Sequence, residues 1–142
     1  MKGRVTLEGG AELNRKLKAL DDKVSKKIVT KALRAGAKII LTAAKAAAPK
    51  QSGVLKKSLK VRAGKRKKGT VRFVVQTASG DFKGESYYAA FLEYGHKAGS
   101  RKLENRKDIP AKPYLGPAFD SKKEAAAKAI ADSMRQGIKD AA

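Results

Sequence analysis

The sequence predicts an α+β fold, with long amphipathic helices packed on a small antiparallel sheet that carries a basic β-hairpin. Apolar residues recur every three or four positions before residue 49 and again after residue 120, which is the period of a helix. Near residues 58–77 the period changes to two, which is the period of a strand. A chain of 142 residues is long enough for one core, so we expect a single domain over residues 1–142.

The N-terminal part is predicted to contain two helices after an extended arm at residues 1–10. Three leucines share one face of the first helix: Leu13, Leu17 and Leu20. Asp21 or Asp22 provides the N-cap of the second, because a short carboxylate accepts hydrogen bonds from free backbone N–H groups. This second helix has about seven turns and ends before Pro49, since the residue that precedes a proline disfavours helical geometry.

A β-hairpin is predicted from two alternating segments, 58–63 and 71–77, joined by a polar loop between Gly64 and Gly69. The alternation places Phe73 on the core face. The loop projects four adjacent positive charges: Lys65, Arg66, Lys67 and Lys68. We expect these four residues to contact a polyanion or an acidic partner.

The region after the hairpin is less regular. The spacing of Tyr88, Phe91 and Leu92 fits a short helical turn or an edge strand. Residues 96–109 form a predicted mobile basic loop. Three prolines exclude regular helix and central strand from residues 110–117.

A final helix is predicted from residues four apart: Ala126, Ile130, Met134 and Ile138. Pro117 suits its first position, and Ser121 with Glu124 forms a possible capping box.

Charge dominates the composition. The 34 Lys and Arg residues outnumber the 13 Asp and Glu residues, which gives a net charge of +21. Residues 23–80 contain no acidic residue but hold 17 of the basic ones. Such a field attracts nucleic acid, an acidic protein surface or an anionic membrane. The absence of cysteine excludes disulfides and thiolate chemistry, and no apolar run is long enough to span a membrane.

No motif in the chain predicts catalysis. His96 is the only histidine, lies in the basic loop and is expected to be solvated. Gly64 to Thr70 resembles the start of a phosphate-binding loop but lacks the essential lysine. The acidic residues of the middle region form no pattern that converges on a metal: Asp81, Glu85, Glu104 and Asp108. We therefore expect no enzyme activity, no cofactor and no metal.

Glu93 is the exception among these acids, because it follows Phe91-Leu92 and precedes Tyr94-Gly95. We expect it to be partly buried and to need a partner, such as a Lys or Arg of the same chain or of a neighbouring subunit. The tyrosines serve equally well in a core or at an interface.

Three short stretches carry a family resemblance: Ala48-Pro49 followed by Ser52-Gly53-x-Leu55, Tyr88-Ala89-x-Phe91-Leu92-Glu93-Tyr94-Gly95, and Pro110-Ala111-Lys112-Pro113-Tyr114-Leu115-Gly116-Pro117-Ala118. Their order and spacing resemble the neck or tail-completion family of long-tailed bacteriophages, whose members are sometimes labelled minor tail proteins. The resemblance runs from about residue 10 to the C-terminus. The chain departs from the family pattern in its larger excess of Lys and Arg residues.

The resemblance implies a virion structural protein of the head–tail junction, which forms a ring of 6 or 12 copies that joins or completes the tail at the neck. Its partners are then further copies and other neck and tail proteins, in the virion and in the host cytoplasm during assembly. The candidate interface residues are Tyr88, Phe91, Glu93, Tyr94, Gly95, Pro110, Pro113, Tyr114, Leu115 and Pro117. The alternative hypothesis from the charge is a basic protein that binds nucleic acid non-specifically. A metal-dependent nuclease is a weaker third hypothesis.

Overall fold

The computed structural model describes residues 9–49, 53–65, 67–68, 70–77, 89–99, 102 and 104–141. Their elements, in chain order, are α1 (Gly10–Lys18), α2 (Asp22–Ala47), α3 (Val54–Ser58), β1 (Leu59–Ala63), β2 (Phe73–Thr77), α4 (Ala89–Tyr94), β3 (His96–Lys97), β4 (Asp108–Ile109) and α5 (Leu115–Ala141). Two long helices with a small antiparallel hairpin against them confirm the predicted α+β class. The predicted N-terminal arm lies mostly outside the described residues.

The helices α2 and α5 run antiparallel and approach each other very closely. A Cβ atom added to Gly36 of α2 would lie 2.6 Å from Cγ1 of Ile130 in α5. At the other end of the pair, a Cβ atom on Gly137 would lie 2.9 Å from Cγ2 of Ile28. Buried alanines fill the rest of this contact: Ala32, Ala126 and Ala131. Small residues therefore let the two backbones approach, which explains how an alanine-rich chain builds a close-packed interior.

The ends of α2 form as the sequence predicts. Asp21 accepts a hydrogen bond of 2.8 Å from the backbone N–H of Lys23. At the other end Ala48 turns into extended geometry with ψ of 139°, directly before Pro49. Ser25 donates a 2.6 Å hydrogen bond to the carbonyl of Leu17, which ties the start of α2 to α1.

The hairpin pairs β1 with β2 from Leu59 opposite Thr77 to Ala63 opposite Phe73. Leu59 and Thr77 are buried, whereas Ala63 at the other end of β1 is exposed. The guanidinium of Arg34 in α2 lies 5.4 Å from the centre of the Phe73 ring. Phe73 is thus partly buried beneath a charged side chain of α2.

Four short elements, α3, α4, β3 and β4, were not predicted or were left open by the sequence pattern. Helix α3 follows Gly53, in a stretch for which no helix was predicted. The segment around Phe91 is the helix α4, which settles the choice between helix and strand. The two ends of the predicted mobile loop pair as strands, His96 opposite Ile109 and Lys97 opposite Asp108, so regular structure begins inside that stretch.

The start of α5 was predicted wrongly. The helix begins at Leu115, so the last residues of the proline-rich stretch are helical, and Pro117 is its third residue rather than its first. Proline fits there because N–H groups of the first turn have no acceptor within the helix. Ser121 lies inside α5 and donates to the carbonyl of Ala118 at 3.0 Å, so the capping box with Glu124 does not exist.

Candidate functional site

The three sequence stretches meet around one buried side chain. Tyr114 is 1% exposed and is the largest fully buried side chain among the described residues. It shares a cluster with residues of α2, α3, β1 and α5: Ala44, Ala48, Leu55, Leu59 and Ala118. Leu92 of the second stretch packs against this cluster. Tyr114 therefore belongs to the core of the chain.

Glu93 caps the start of α5. Its Oε2 atom accepts hydrogen bonds from the backbone N–H groups of Tyr114 at 2.8 Å and Leu115 at 3.0 Å. Its Oε1 atom accepts from the N–H of Gly116 at 2.9 Å. The next residue, Pro117, has no N–H. The carboxylate thus satisfies every N–H from Tyr114 to Pro117 and lies at the positive end of the helix dipole.

We expected a Lys or Arg of the same chain or of a neighbouring subunit as the partner of Glu93, and the structure shows backbone N–H groups as its partners. In the described part of the chain, the hydrogen bonds of its carboxylate come from backbone N–H groups. A half-buried carboxylate is stabilised by such donors as it is by a cation, because several aligned N–H dipoles point at it.

Gly95 sets the direction of the chain between Glu93 and β3. Its φ is +73°, a left-handed conformation, and an added Cβ atom would lie 2.8 Å from the carbonyl oxygen of Ile109 and 2.9 Å from the nitrogen of Ala111. Nearby, the N–H of Lys112 donates to the carbonyl of Leu92 at 2.7 Å. We call residues 92–95 together with 109–116 the clasp. It joins the second and third sequence stretches into one unit.

An exposed surface lies on the clasp. Tyr94 is 75% exposed and Ile109 is 38% exposed, and Pro110 and Ala111 beside them are also exposed. These four residues, which we call the Tyr94 surface, line a shallow open groove of about 330 Å³ together with residues 95–97 and Asp108. The groove is too open to enclose a small molecule, whereas an exposed tyrosine beside apolar residues suits contact with protein.

The structure divides the predicted interface residues into three groups. Tyr94, Pro110, Pro113 and Pro117 are exposed; Phe91, Glu93, Gly95 and Leu115 are half-buried; Tyr114 is buried. Tyr88 lies outside the described residues. The spacing in sequence did not reveal that all the described members except Phe91 and Pro117 belong to one clasp.

His96 is half-buried rather than fully solvated. Its ring centre lies 4.8 Å from that of Phe91, and its Nδ1 atom is buried without a hydrogen-bond partner among the described residues. Within those residues, no group of histidine, aspartate and glutamate side chains is arranged to hold a metal ion.

The tip of the hairpin is closed by a hydrogen bond from the N–H of Thr70 to the carbonyl of Lys67, at 3.0 Å. Lys65, Lys67 and Lys68 are exposed. Arg66 lies outside the described residues.

Comparison with known proteins gives one match. The sequence model of the family described as "Bacteriophage HK97-gp10, putative tail-component" matches residues 11–95, more than half of the chain. No curated protein and no solved structure matches. None of the described helices is long and apolar enough to cross a membrane. The matched region runs from α1 to Gly95 and contains the first two sequence stretches, so the chain belongs to this HK97-gp10-like family of phage tail components.

Proposed function

We propose that the protein is a structural subunit of the phage head–tail junction, where it forms a ring that joins or completes the tail at the neck. Membership of a tail-component family supports the proposal. The observation that carries it is the clasp, in which Glu93 fixes the start of α5 and holds Tyr94 out on a surface with Pro110. The hydrogen bonds of the site thereby fix its shape, and we assign the protein no reaction of its own.

A closed ring needs two different patches that meet between neighbouring subunits. The Tyr94 surface suits one of these patches, because the clasp holds it in place and little conformational entropy is lost on contact. In this proposal Tyr94, Pro110, Pro113 and Pro117 contact a neighbouring subunit or another neck or tail protein. The half-buried and buried residues of the clasp act by positioning them.

The proposed ring has 6 or 12 copies, as the family resemblance implies, and it lies in the virion after assembly in the host cytoplasm. The charge of +21 per chain opposes association between copies until acidic partners or counterions arrive. The hairpin tip, residues 65–68, meets an acidic ring above or below, or the exiting genome.

The test is assembly in a phage that carries Tyr94→Ala. We expect separate heads and tails in electron micrographs, with normal thermal unfolding of the purified variant. Val24→Ala is the matched control, because Val24 is an exposed apolar residue on α2, 39% exposed, and its removal should leave particles intact. Complete infectious particles from a phage that lacks the gene altogether would contradict the proposed function, and normal particles with Tyr94→Ala would contradict the proposed interface.

A non-specific nucleic-acid-binding protein is the second candidate, and the net charge is the observation that favours it. The two candidates differ in the strength of binding. Tight DNA binding that persists near physiological salt supports the second candidate, whereas binding that is lost there leaves the structural role intact.

A further inference from the structure

One face of α2 is basic along most of its length. Six of its cationic side chains are exposed: Lys23, Lys26, Lys27, Lys31, Arg34 and Lys38. At 3.6 residues per turn these positions occupy an arc of about 140°, and they extend over about 22 Å of the helix axis. The opposite side of α2 holds Gly36 and Ala32, which pack on α5. The basic arc, which we call the α2 face, therefore points away from the interior on a rigid support.

Acidic residues accompany the α2 face only at its N-terminal end, where Asp21 and Asp22 begin the helix, and no ion pair between described residues includes its side chains. No acidic residue occurs from residue 23 to residue 80. The ion pairs between described residues involve α1, the β3–β4 hairpin and α5, and none includes a residue of the α2 face. Helix α5, in contrast, mixes lysines with acids such as Asp132 on its exposed side. An uncompensated row of cations on a helix lowers stability by mutual repulsion, so a bound polyanion would relieve it.

The shape and surroundings of the α2 face indicate the kind of polyanion. All of its side chains except that of Lys38 line an open depression of about 540 Å³, together with Thr30. Among the described residues, the ring in contact with the α2 face is that of Phe73, which is half-buried beside the Arg34 guanidinium and so offers bases little stacking surface. Val24 is the one exposed large apolar side chain of α2, which is too little for insertion into a membrane.

We propose that the α2 face binds the phosphate backbone of double-stranded DNA without sequence preference. Phosphates of one strand recur about every 3.4 Å along the duplex axis but wind around it, so the straight α2 face meets the few phosphates on the near side of the duplex. Lysine and arginine contact such phosphates as point charges and forked donors and need no base contact. This site does not depend on ring formation, and the proposed structural function stands with or without it.

The experiment compares three variants that each remove three positive charges by Lys→Gln changes. The first alters the α2 face at Lys27, Lys31 and Lys38. The second is the matched control on the exposed side of α5, at Lys122, Lys128 and Lys139. The third alters the hairpin tip at Lys65, Lys67 and Lys68. Binding to a short labelled DNA duplex is measured by fluorescence anisotropy over a series of salt concentrations, and circular dichroism confirms that each variant is folded.

We expect the α2 variant to bind DNA on the order of 100-fold more weakly at low salt. The slope of log K against log salt should fall in magnitude by about two to three, because each lost phosphate contact removes about 0.9 from it. The α5 variant should stay close to the wild type. Equal losses in the α2 and α5 variants would overturn the proposal, as would a loss confined to the hairpin variant. Equally tight binding of polyglutamate by the wild type would assign the face to an acidic protein instead.

Discussion

Glu93→Gln tests the clasp most directly, because the substitution keeps the shape of the side chain and changes its hydrogen bonding. The carboxylate accepts three backbone N–H groups with its two oxygens, at 2.8 to 3.0 Å. The amide has a single acceptor oxygen, and its NH₂ group would face N–H donors at the start of α5. At least one backbone donor therefore loses its partner.

The size of the effect follows from the hydrogen bonds lost. A hydrogen bond to a charged group contributes about 1.5–3 kcal/mol, whereas loss of a helix N-cap costs about 1 kcal/mol. Glu93 is only half-buried, so water replaces part of what the amide cannot provide. We expect Glu93→Gln to lower the free energy of unfolding by about 2 to 3 kcal/mol.

The assay is urea unfolding at 25 °C, followed by far-ultraviolet circular dichroism. Glu124→Gln is the control, because it makes the same charge change at an exposed position of α5. Glu93→Asp separates charge from reach, since it keeps the carboxylate but shortens the side chain, and it should also be destabilised. If Glu93→Gln unfolds within about 0.5 kcal/mol of the wild type, the size expected of an ordinary surface change, the clasp argument is refuted.

Three further predictions follow from the contacts. Gly95→Ala should lower the free energy of unfolding by about 2–4 kcal/mol in urea titrations, because it adds left-handed strain to backbone overlap, and an unchanged midpoint would contradict this. Gly36→Ala should be net destabilising by about 1 kcal/mol despite better helix propensity, and Ile130→Ala in the same chain should relieve the overlap in a double-mutant cycle. Hydrogen bonding to Lys16 holds the pKa of the Glu12 carboxyl below its usual range. The ion pair therefore stabilises α1 fully at pH values above the ordinary pKa of a glutamate, and this stabilisation is lost as the pH falls through the lowered pKa of Glu12. Glu12→Gln should make the protection of the α1 amides against hydrogen exchange less dependent on pH in this range.

The sequence predicted an element correctly where all the signals for that element lie within it. Helix α2 has an apolar period, a capping residue in Asp21 and a stop at Pro49, and all three agree with the structure. The hairpin was predictable for the same reason, since alternation and a glycine-bounded loop occur together. Such elements need no knowledge of distant parts of the chain.

The clasp was not predictable in this way, because its key contact joins Glu93 to backbone N–H groups more than 20 residues later. Backbone donors have no signature in composition, and the prolines concealed the helix start at Leu115. The missing N–H of Pro117, one residue after Gly116, was the available signal of a first helical turn. Likewise, the residue type alone did not distinguish buried Tyr114 from exposed Tyr94. Tyr114 is buried because residues of α2 and β1 pack around it.

The short β3–β4 ladder holds together the two ends of the segment between Ala98 and Lys107. The N–H of Ala98 donates to the carbonyl of Lys107 at 2.8 Å, so the two ends of the segment are held together whatever lies between them. Closing a longer loop is cheap, since each doubling of length costs about 0.6 kcal/mol. A peptide epitope can therefore be inserted into this segment while α5 keeps its position. Antibody labelling of intact particles that carry the epitope would then locate each copy of the protein.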